Sequence, residues 1–364
     1  MGQRIYLDHA ATTSLAPEAK AAVALALEHW ANPSSPHREG RAAHAALEDA
    51  RERLKVAIGW PHDLIFTSGA TEAAALALRR ADRQPPVIVS AVEHQAVLRQ
   101  RPDAATVRVD AAGAIDTEAL EAVLADRPGA LVAIQHVNSE TGVIQPIPKL
   151  AERVRARGGF LFTDCAQSAG KLPLPHADML ALSAHKLGGP PGIGALLVRD
   201  LGLLDAVGAG QEQGYRPGTE NLPAILGFAA AAEAMPVGPQ MPGWMVERQR
   251  WRTALDKAVR AAGGSVICGR ASRSPLIASY AMPGMSAAAQ LMRFDALGFA
   301  VSAGSACSSG TMRPSHVLAA LGLSEEAGAQ VIRVSFGRET SEAEVCQFTV
   351  AWVEMAAEAR ALAA

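Results

Sequence analysis

The chain has 364 residues, a length that predicts about two domains at roughly 150 residues per domain. Lys and Arg number 34 and Asp and Glu number 36, so the formal net charge of −2 argues against electrostatic binding of nucleic acid. Hydrophobic residues make up 49% and charged residues 19%, a balance typical of a globular protein rather than a disordered one.

Helical periodicity appears over residues 17–30 and 38–58, where apolar side chains recur at three- and four-residue steps. Short apolar runs follow, and most of them alternate with helical stretches. These runs cover residues 64–67, 87–90, 106–109, 130–137, 160–163, 179–183 and 193–198. The alternation predicts an α/β sheet with largely parallel strands. A stretch rich in Pro and Gly at 235–243 predicts a domain boundary, followed by an amphipathic helix over 244–262.

The cysteines and the N-terminal residues indicate a cellular location. The four cysteines are widely spaced and form no Cys-x-x-Cys pair, which is typical of reduced thiols in a cytosolic protein. Asp8 and His9 come before any apolar stretch, and no apolar run approaches the roughly 18 to 20 residues of a spanning helix. We therefore expect a cytoplasmic protein that does not contact a membrane.

Polar residues that follow strands are candidates for a binding site, because ligands of open α/β sheets bind at the carboxyl ends of the strands. The predicted strand 64–67 is followed by Ser68-Gly69-Ala70-Thr71-Glu72, a turn of small residues that enters a helix. Backbone N–H groups at such a helix start, together with the Thr71 hydroxyl, could hold a phosphate. On this motif alone, an ordinary helix cap is the favoured interpretation.

A carboxylate and a lysine follow two further strands. Asp164 ends the run 160–163, and Lys186 follows the run 179–183. Together with the phosphate turn, they suit a pyridoxal phosphate site, in which the lysine forms a Schiff base and the carboxylate keeps the pyridine nitrogen protonated. Ser183 and Lys186 also match the Ser-x-x-Lys pattern of acyl enzymes, but the companion Ser-Asp-Asn and Lys-Thr-Gly motifs are missing.

Other site types find no support in the sequence. The Walker and Gly-x-Gly-x-x-Gly nucleotide fingerprints are missing, and the histidines show no metal-ligand spacing, so no metal is expected. Cys307 lies in a run of small residues at 302–310, where a thiol is expected to be accessible. Because exposed free thiols are normally avoided, this one indicates a catalytic role. A buried structural cysteine is the alternative there. Cys165, Cys268 and Cys346 have apolar neighbours and are interpreted as inert.

Taken together, these motifs resemble the cysteine desulfurases, which are pyridoxal phosphate enzymes related to the class V aminotransferases. The resemblance covers nearly the whole chain in the order of the family. Its motifs are Tyr6-Leu7-Asp8-His9-Ala10-Ala11-Thr12-Thr13, Asn32-Pro33-Ser34-Ser35, Glu93-His94, Val137-Asn138-Ser139-Glu140-Thr141-Gly142, Arg216-Pro217-Gly218-Thr219-Glu220-Asn221, Ser315-His316-Val317-Leu318 and Arg333-Val334-Ser335-Phe336-Gly337-Arg338-Glu339-Thr340.

The resemblance implies an α/β fold of fold type I, with a mostly parallel central sheet in a large domain and a smaller α+β domain. The large cofactor-binding domain is expected over residues 14–245. The small domain is expected from 1–13 and 246–364 and would carry the Cys307 loop.

The resemblance also implies roles for individual residues. Lys186 would form the Schiff base, Asp164 would face the pyridine nitrogen, and His94 would stack on the cofactor ring. The remaining contacts are implied as follows: Asn138 and Gln167 on the ring hydroxyl side, Ala70, Thr71, Ser183 and His185 on the phosphate, Thr219 on the phosphate of the partner subunit in a homodimer, and Arg333 with Asn138 on the substrate.

The implied reaction converts L-cysteine to L-alanine and leaves the sulfur on Cys307 as a persulfide. His94 or the substrate amine would deprotonate the thiol, since only the thiolate is a good nucleophile. The persulfide would pass to an acceptor protein, such as an iron–sulfur scaffold. The alternatives are a selenocysteine lyase and a catalytically silent sulfur-transfer partner.

The chain departs from the family pattern at a few positions. Ala74 and Ala75 replace two asparagines, Ser139 replaces the second Asn of a Val-Asn-Asn pattern, and Pro191 replaces a lysine. The chain also ends sooner after Thr340 than members that dock an iron–sulfur scaffold through a longer tail. These departures leave every expected catalytic group in place.

Overall fold

A computed structural model describes residues 4–29, 31–82, 84–208, 210–235, 238, 241–304 and 314–363. The helices are α1 (Pro17–Glu28), α2 (Arg38–Ile58), α3 (Ala70–Arg79), α4 (Gln95–Leu98), α5 (Thr117–Asp126), α6 (Ile147–Ala156), α7 (Leu222–Glu233), α8 (Gly243–Ala261), α9 (Ala287–Ala296), α10 (His316–Ala320), α11 (Glu325–Gly328) and α12 (Glu342–Ala363). The strands are β1 (Ile5–Tyr6), β2 (Asp63–Thr67), β3 (Val87–Ser90), β4 (Ala105–Val107), β5 (Leu131–Ala133), β6 (Phe160–Asp164), β7 (Met179–Ser183), β8 (Gly194–Val198), β9 (Ser265–Val266), β10 (Ile277–Ala281), β11 (Phe299–Ala300), β12 (Ser302–Ala303) and β13 (Val331–Ser335).

The end groups of α2 explain why its predicted bounds are confirmed. The His37 side chain accepts a hydrogen bond from the Gly40 N–H at the start, which satisfies one of the free donors of the first turn. Gly59 ends the helix with φ of 71°, a left-handed conformation in which its N–H reaches the carbonyls of Lys55 and Val56.

A seven-stranded sheet forms the centre of the molecule, in the order β2-β8-β7-β6-β5-β3-β4. The pairs β3–β4, β3–β5, β5–β6 and β6–β7 are parallel, and only β8 runs antiparallel to its neighbours β2 and β7. The prediction of a largely parallel sheet is therefore confirmed. The carboxyl ends of β6 and β7 lie side by side, with Asp164 in register with Ala181.

Alternate residues of each strand enter two different apolar clusters, one on each face of this sheet. In β6, Leu161 packs into a cluster with α2, α6 and α7, whereas Phe162 packs into a cluster with α3. Both faces are covered by helices, which is why these strands appear as continuous apolar runs rather than as alternating ones.

One predicted strand is shorter than expected. The apolar run 130–137 forms β5 only over Leu131–Ala133. Beyond it the N–H groups of Ile134 and His136 still donate to carbonyls of β6, and Gln135 and Val137 line a cavity. The spacing of apolar residues does not by itself show where an assigned strand ends.

A third apolar cluster is built around the sheet β12-β13-β10-β9 and includes Phe294, Phe348 and Trp352. The N-terminal strand β1 pairs in parallel with β11, which brings Ile5 and Leu7 into this cluster. We keep the division into a large domain over 14–245 and a small domain over 1–13 and 246–364 as a proposal, which this distribution of apolar clusters supports. None of the helices, as far as the structure describes them, is long and apolar enough to cross a membrane.

Candidate active site

A cavity of about 500 Å³ opens at the carboxyl edge of the central sheet. Its wall brings together residues that lie far apart in the sequence. Those predicted for the site are Ala70, Thr71, His94, Asp164, Gln167, Ser183, His185, Lys186 and Arg333. The cavity forms there because β2, β6 and β7 end at this edge, and each is followed by a polar turn.

One end of the cavity is formed by the start of α3. Ala70 and Thr71 occupy its first turn, where backbone N–H groups are free of intrahelical partners, and Ser183 faces the same space from the end of β7. Gly194 allows this close approach, because a Cβ there would lie 2.6 Å from the Cα of Gly69. Free donors and a helix N-terminus suit the binding of a phosphate group.

Glu72, the third residue of α3, is held by hydrogen bonds to other groups. Its carboxylate accepts from the Ser68 N–H and from Nε of Arg216, the latter over 3.0 Å. Burial opposes ionisation of Glu72, but these hydrogen bonds outweigh it and lower its pKa. The ion pair therefore connects the phosphate turn to the segment that carries Thr219.

The middle of the cavity carries acidic and basic groups. Asp164 ends β6, and its Oδ1 accepts a hydrogen bond from the Ala166 N–H at 2.8 Å. Lys186 lies on the same wall, in the short helical turn that follows β7. A carboxylate and an amine at neighbouring strand ends are the pair that the sequence predicted.

His94 lines the cavity, in surroundings that favour the neutral imidazole. Its Nδ1 accepts a hydrogen bond from the Ala96 N–H at 3.1 Å, which fixes the ring at the start of α4. Burial lowers the pKa of His94, and the nearby Lys186 adds to this effect, while Asp164 opposes it. A neutral ring with an accessible face can stack on an aromatic group.

Arg333 closes the cavity from the small sheet. It lies on β13, and its side chain is buried, with 3% exposure. Nη1 donates to the Ser139 carbonyl at 3.0 Å and Nη2 donates to Oδ1 of Asp8 at 2.8 Å, whereas the buried Nε has no partner. It is the only arginine on the described part of this wall.

Two predicted site residues lie away from the wall. The Asn138 side chain accepts from the N–H groups of Glu140 and Thr141 and donates to the Val92 carbonyl, so it shapes the loop behind the cavity. Thr219 is exposed to solvent. Direct contacts of Asn138 with cofactor or substrate, and of Thr219 with the phosphate of a partner subunit, stay predictions.

Cys307 lies outside the described residues, but the residues on either side of its segment are described. Gly304 and Pro314 both line a second cavity of about 360 Å³ together with His94. The Ser315 hydroxyl donates to Glu140 at 2.6 Å, and a Cβ on Gly304 would lie 2.1 Å from the same carboxylate oxygen. The chain therefore enters and leaves the Cys307 segment beside His94.

The other cysteines differ in environment, since Cys165 is buried, Cys268 is partly buried and Cys346 is exposed.

Three ionisable groups of the site region received no role in the sequence analysis. Asp8 belongs to a quoted motif, but its partner Arg333 lies 325 positions away, so no local pattern reveals the pair. Burial raises the pKa of Glu93, directly before His94, well above its usual value. Lys171 shares a neighbouring cavity with Lys186, and burial together with that second amine lowers its pKa to about 7. The only sequence signal for these three groups is that each is an ionisable residue near a quoted motif or a polar turn.

The residues on the wall fit pyridoxal phosphate. The free donors at the start of α3 suit its phosphate, Asp164 suits its ring nitrogen, and Lys186 suits its aldehyde. Gln167 donates to the Ala10 carbonyl, and its buried Oε1 has no partner, which leaves an acceptor for a polar group of a ligand. In the described ranges, no group of His, Cys, Asp and Glu could hold a metal ion.

Comparisons with known proteins show the family and the fold. The model of the family "Aminotransferase class-V" matches residues 5–348. A protein named cysteine desulfurase from Cereibacter sphaeroides is 38% identical over 364 residues, which cover 94% of this chain and 93% of that protein. The NifS-like protein from Rickettsia africae has a similar structure, with a TM-score of 0.87, 28% identity and coverage of 97% of this chain and 99% of that one. A structure described as SspA in complex with cysteine is 31% identical, with a TM-score of 0.77 and coverage of 93% and 100%.

The chain thus has the fold of the class V aminotransferases, with pyridoxal phosphate as its cofactor. The chain belongs, within that class, to the cysteine desulfurase family. This family assignment sets aside the alternative of a Ser-x-x-Lys acyl enzyme.

Proposed function

We propose that this enzyme converts L-cysteine to L-alanine and that Cys307 receives the sulfur as a persulfide. The observation that carries the proposal is the convergence of Lys186, Asp164 and Arg333 on one cavity. An amino acid presents an amine and a carboxylate. The aldehyde of a cofactor held at Lys186 would bind the amine, and the guanidinium of Arg333 would bind the carboxylate. The solved relative SspA, described in complex with cysteine, supports this substrate.

Pyridoxal phosphate supplies an electrophilic carbonyl and a ring that accepts electrons. Asp164 would hold a proton on the ring nitrogen, which increases this electron demand. The neutral His94 ring would cover one face of the cofactor. Lys186, once released by the substrate amine, would carry a proton between carbon atoms of the substrate and cofactor.

Arg333 would bind the substrate carboxylate. A planar guanidinium can donate two parallel hydrogen bonds to the two oxygens of a carboxylate. Among the described residues, two of its five N–H groups have partners, so donors remain for a ligand. This contact would orient the side chain of the substrate relative to Lys186.

Cys307 would attack the substrate sulfur as a thiolate. A sulfur–sulfur bond forms and the carbon–sulfur bond breaks, and its electron pair stays with the carbon, which later takes up a proton. RCH2SH and the enzyme thiol thus give RCH3 and an enzyme persulfide, so the carbon is reduced while the sulfur atoms are oxidised. His94 lines the cavity beside which the Cys307 segment begins and ends, and it could accept the thiol proton.

The finer biological setting is also part of the proposal. The exposed Thr219 supports a homodimer in which it reaches the phosphate of the partner subunit. The persulfide would then pass to an acceptor protein, such as a scaffold for iron–sulfur cluster assembly. The net charge of −2 and the widely spaced cysteines support a cytoplasmic enzyme that does not bind nucleic acid.

The experiment that tests this function compares Cys307→Ala with Cys346→Ala in the purified holoenzyme. Cys346 is exposed, so it serves as a matched control for loss of an accessible thiol. We expect Cys307→Ala to lose alanine release from L-cysteine and to lose the mass gain of one sulfur atom, while Cys346→Ala keeps both. Full activity of Cys307→Ala on L-cysteine would overturn the role of that thiol. Activity on L-selenocysteine alone would instead indicate a selenocysteine lyase, and no alanine from the unchanged enzyme would indicate a silent partner.

A further inference from the structure

The hydrogen bonds of Arg333 come from two distant segments of the chain. Nη1 donates to the carbonyl of Ser139, in the loop after β5, and Nη2 donates to the carboxylate of Asp8, just after β1. A guanidinium is planar, so two contacts to different nitrogen atoms fix the orientation of the plane. The three remaining N–H groups have no partner among the described residues.

Asp8 itself lies behind the site. Arg333 lines the large cavity, whereas Asp8 does not. The Asp8 backbone forms a bridge with Ser335 of β13, and its side chain is 20% exposed against 3% for Arg333. Asp8 can therefore influence a ligand in the cavity only through the arginine.

We propose that Asp8 is a positioning residue that holds the Arg333 guanidinium in the orientation needed to bind the carboxylate of the amino acid substrate. This inference rests on the proposed function, because it takes Arg333 as the carboxylate-binding group. It extends that function by assigning a role to a second residue and by making substrate affinity depend on an interaction outside the cavity.

The Asp8 contact orients the Arg333 guanidinium and does not only stabilise the fold. Asp8 is the carboxylate that contacts Arg333 directly among the described residues, and a buried cation depends on such a contact for its charge balance. A charge-assisted hydrogen bond is also about twice as strong as a neutral one, so the Asp8 contact holds the guanidinium more firmly than the Ser139 carbonyl does. Without Asp8, the guanidinium could rotate about its terminal bonds and would present its donors in several orientations.

The test measures binding of two amines to the holoenzyme from the change in cofactor absorbance. L-Alanine carries a carboxylate, and ethylamine is the same molecule without it. In Asp8→Ala, we expect the Kd of L-alanine and the KM of L-cysteine to rise about 10- to 100-fold, the size expected for loss of a hydrogen bond to a charged group. The Kd of ethylamine should not change. Asp8→Asn keeps an acceptor oxygen without the charge, so its effect should be smaller in the same direction.

Tyr6→Phe is the matched control for loosening of the N-terminal segment. The Tyr6 hydroxyl donates to the carbonyls of Asp8 and Thr12, so its loss removes support for this segment but leaves the Asp8 carboxylate in place. We expect the ratio of the two Kd values to stay as in the unchanged enzyme. If Asp8→Ala does not retain cofactor, Asp8→Asn carries the test.

The outcomes separate this inference from the function on which it rests. If both Asp8 variants weaken L-alanine and ethylamine equally, or weaken neither, the positioning role is wrong. Arg333→Ala is then decisive for the proposed function. A selective loss of L-alanine binding in Arg333→Ala would keep Arg333 as the carboxylate site and reject only Asp8, whereas equal effects on both amines would reject the role of Arg333 itself.

Discussion

Two buried arginines of this enzyme differ in how completely their donors are used. Arg51 donates to both carboxylate oxygens of Glu212 at 2.9 and 3.0 Å, to the Leu64 carbonyl and to Glu48, so every nitrogen has a partner. Arg333 also pairs with a carboxylate, but its Nε has no partner, and Asp8 is 20% exposed against 0% for Glu212. The first pair is complete within the protein, while the second retains donors for a ligand.

The complete pair has a structural consequence. Glu212 has a φ of 45°, a left-handed conformation that is costly for a residue with a side chain. Its carboxylate also accepts from the Phe66 N–H at 2.8 Å, at the end of β2. These contacts hold the turn over Gln211–Gly214, which leads to the segment with Arg216 and Thr219. A saturated buried pair thus fixes the position of the backbone, whereas an unsaturated one suits binding.

The largest effect on stability is expected from Glu212→Ala. This change leaves the Arg51 cation buried without its carboxylate and should lower the free energy of unfolding by about 3 to 5 kcal/mol. Denaturant unfolding measures it. The double variant Arg51→Met with Glu212→Ala removes the stranded charge, so it should be less destabilised than the sum of the single variants. Strict additivity would show that the two side chains do not act as a pair.

A smaller effect, dependent on pH, is expected from His136. This residue is also buried with an unpartnered nitrogen, Nδ1, and no described residue forms an ion pair with it. Burial lowers its pKa from 6.5 to about 4. The unfolded chain therefore binds a proton more readily than the folded one between these two values. Stability should fall as the pH decreases through this window, by at most about 3 kcal/mol from this group.

Unfolding of His136→Phe at several pH values from 7 to about 4 checks this contribution, since the range is set by the two pKa values. The variant should lose part of the decrease in stability. Part should persist, because burial lowers the pKa of His9 to about 4 as well. An unchanged pH profile would mean that His136 remains as easily protonated in the folded protein as in the unfolded chain.

The smallest effect is expected at an exposed pair of the same chemistry. Arg53 contacts Glu233 through two hydrogen bonds of 2.6 and 2.8 Å, but both side chains are about two-fifths exposed, at 37% and 41%. Glu233→Ala should change the free energy of unfolding by no more than about 1 kcal/mol, because water competes for both charges. A loss as large as that of Glu212→Ala would contradict the view that burial and saturation set the contribution of a pair.

The sequence predicted most elements that are marked by local chemistry. The caps and apolar spacing of α2 define its bounds, and the runs ending in Asp164 and preceding Lys186 form adjacent strands. Periodicity was less informative about ends, since β5 is assigned only over Leu131–Ala133 and α1 ends at Glu28 rather than at residue 30. The ends of helices and strands depend on backbone hydrogen bonds, which apolar spacing alone does not specify.

By itself, the sequence determined the class of the sheet, the chemistry available at the ends of its strands and the family. Tertiary structure alone decided which of those groups meet. Asp8 reaches Arg333 across 325 positions and Glu212 reaches Arg51 across 161, because β1 pairs with β11 and the turn at Glu212 closes over β2. No local period or motif encodes such distances, since long-range contacts arise only when separate elements pack their apolar faces together.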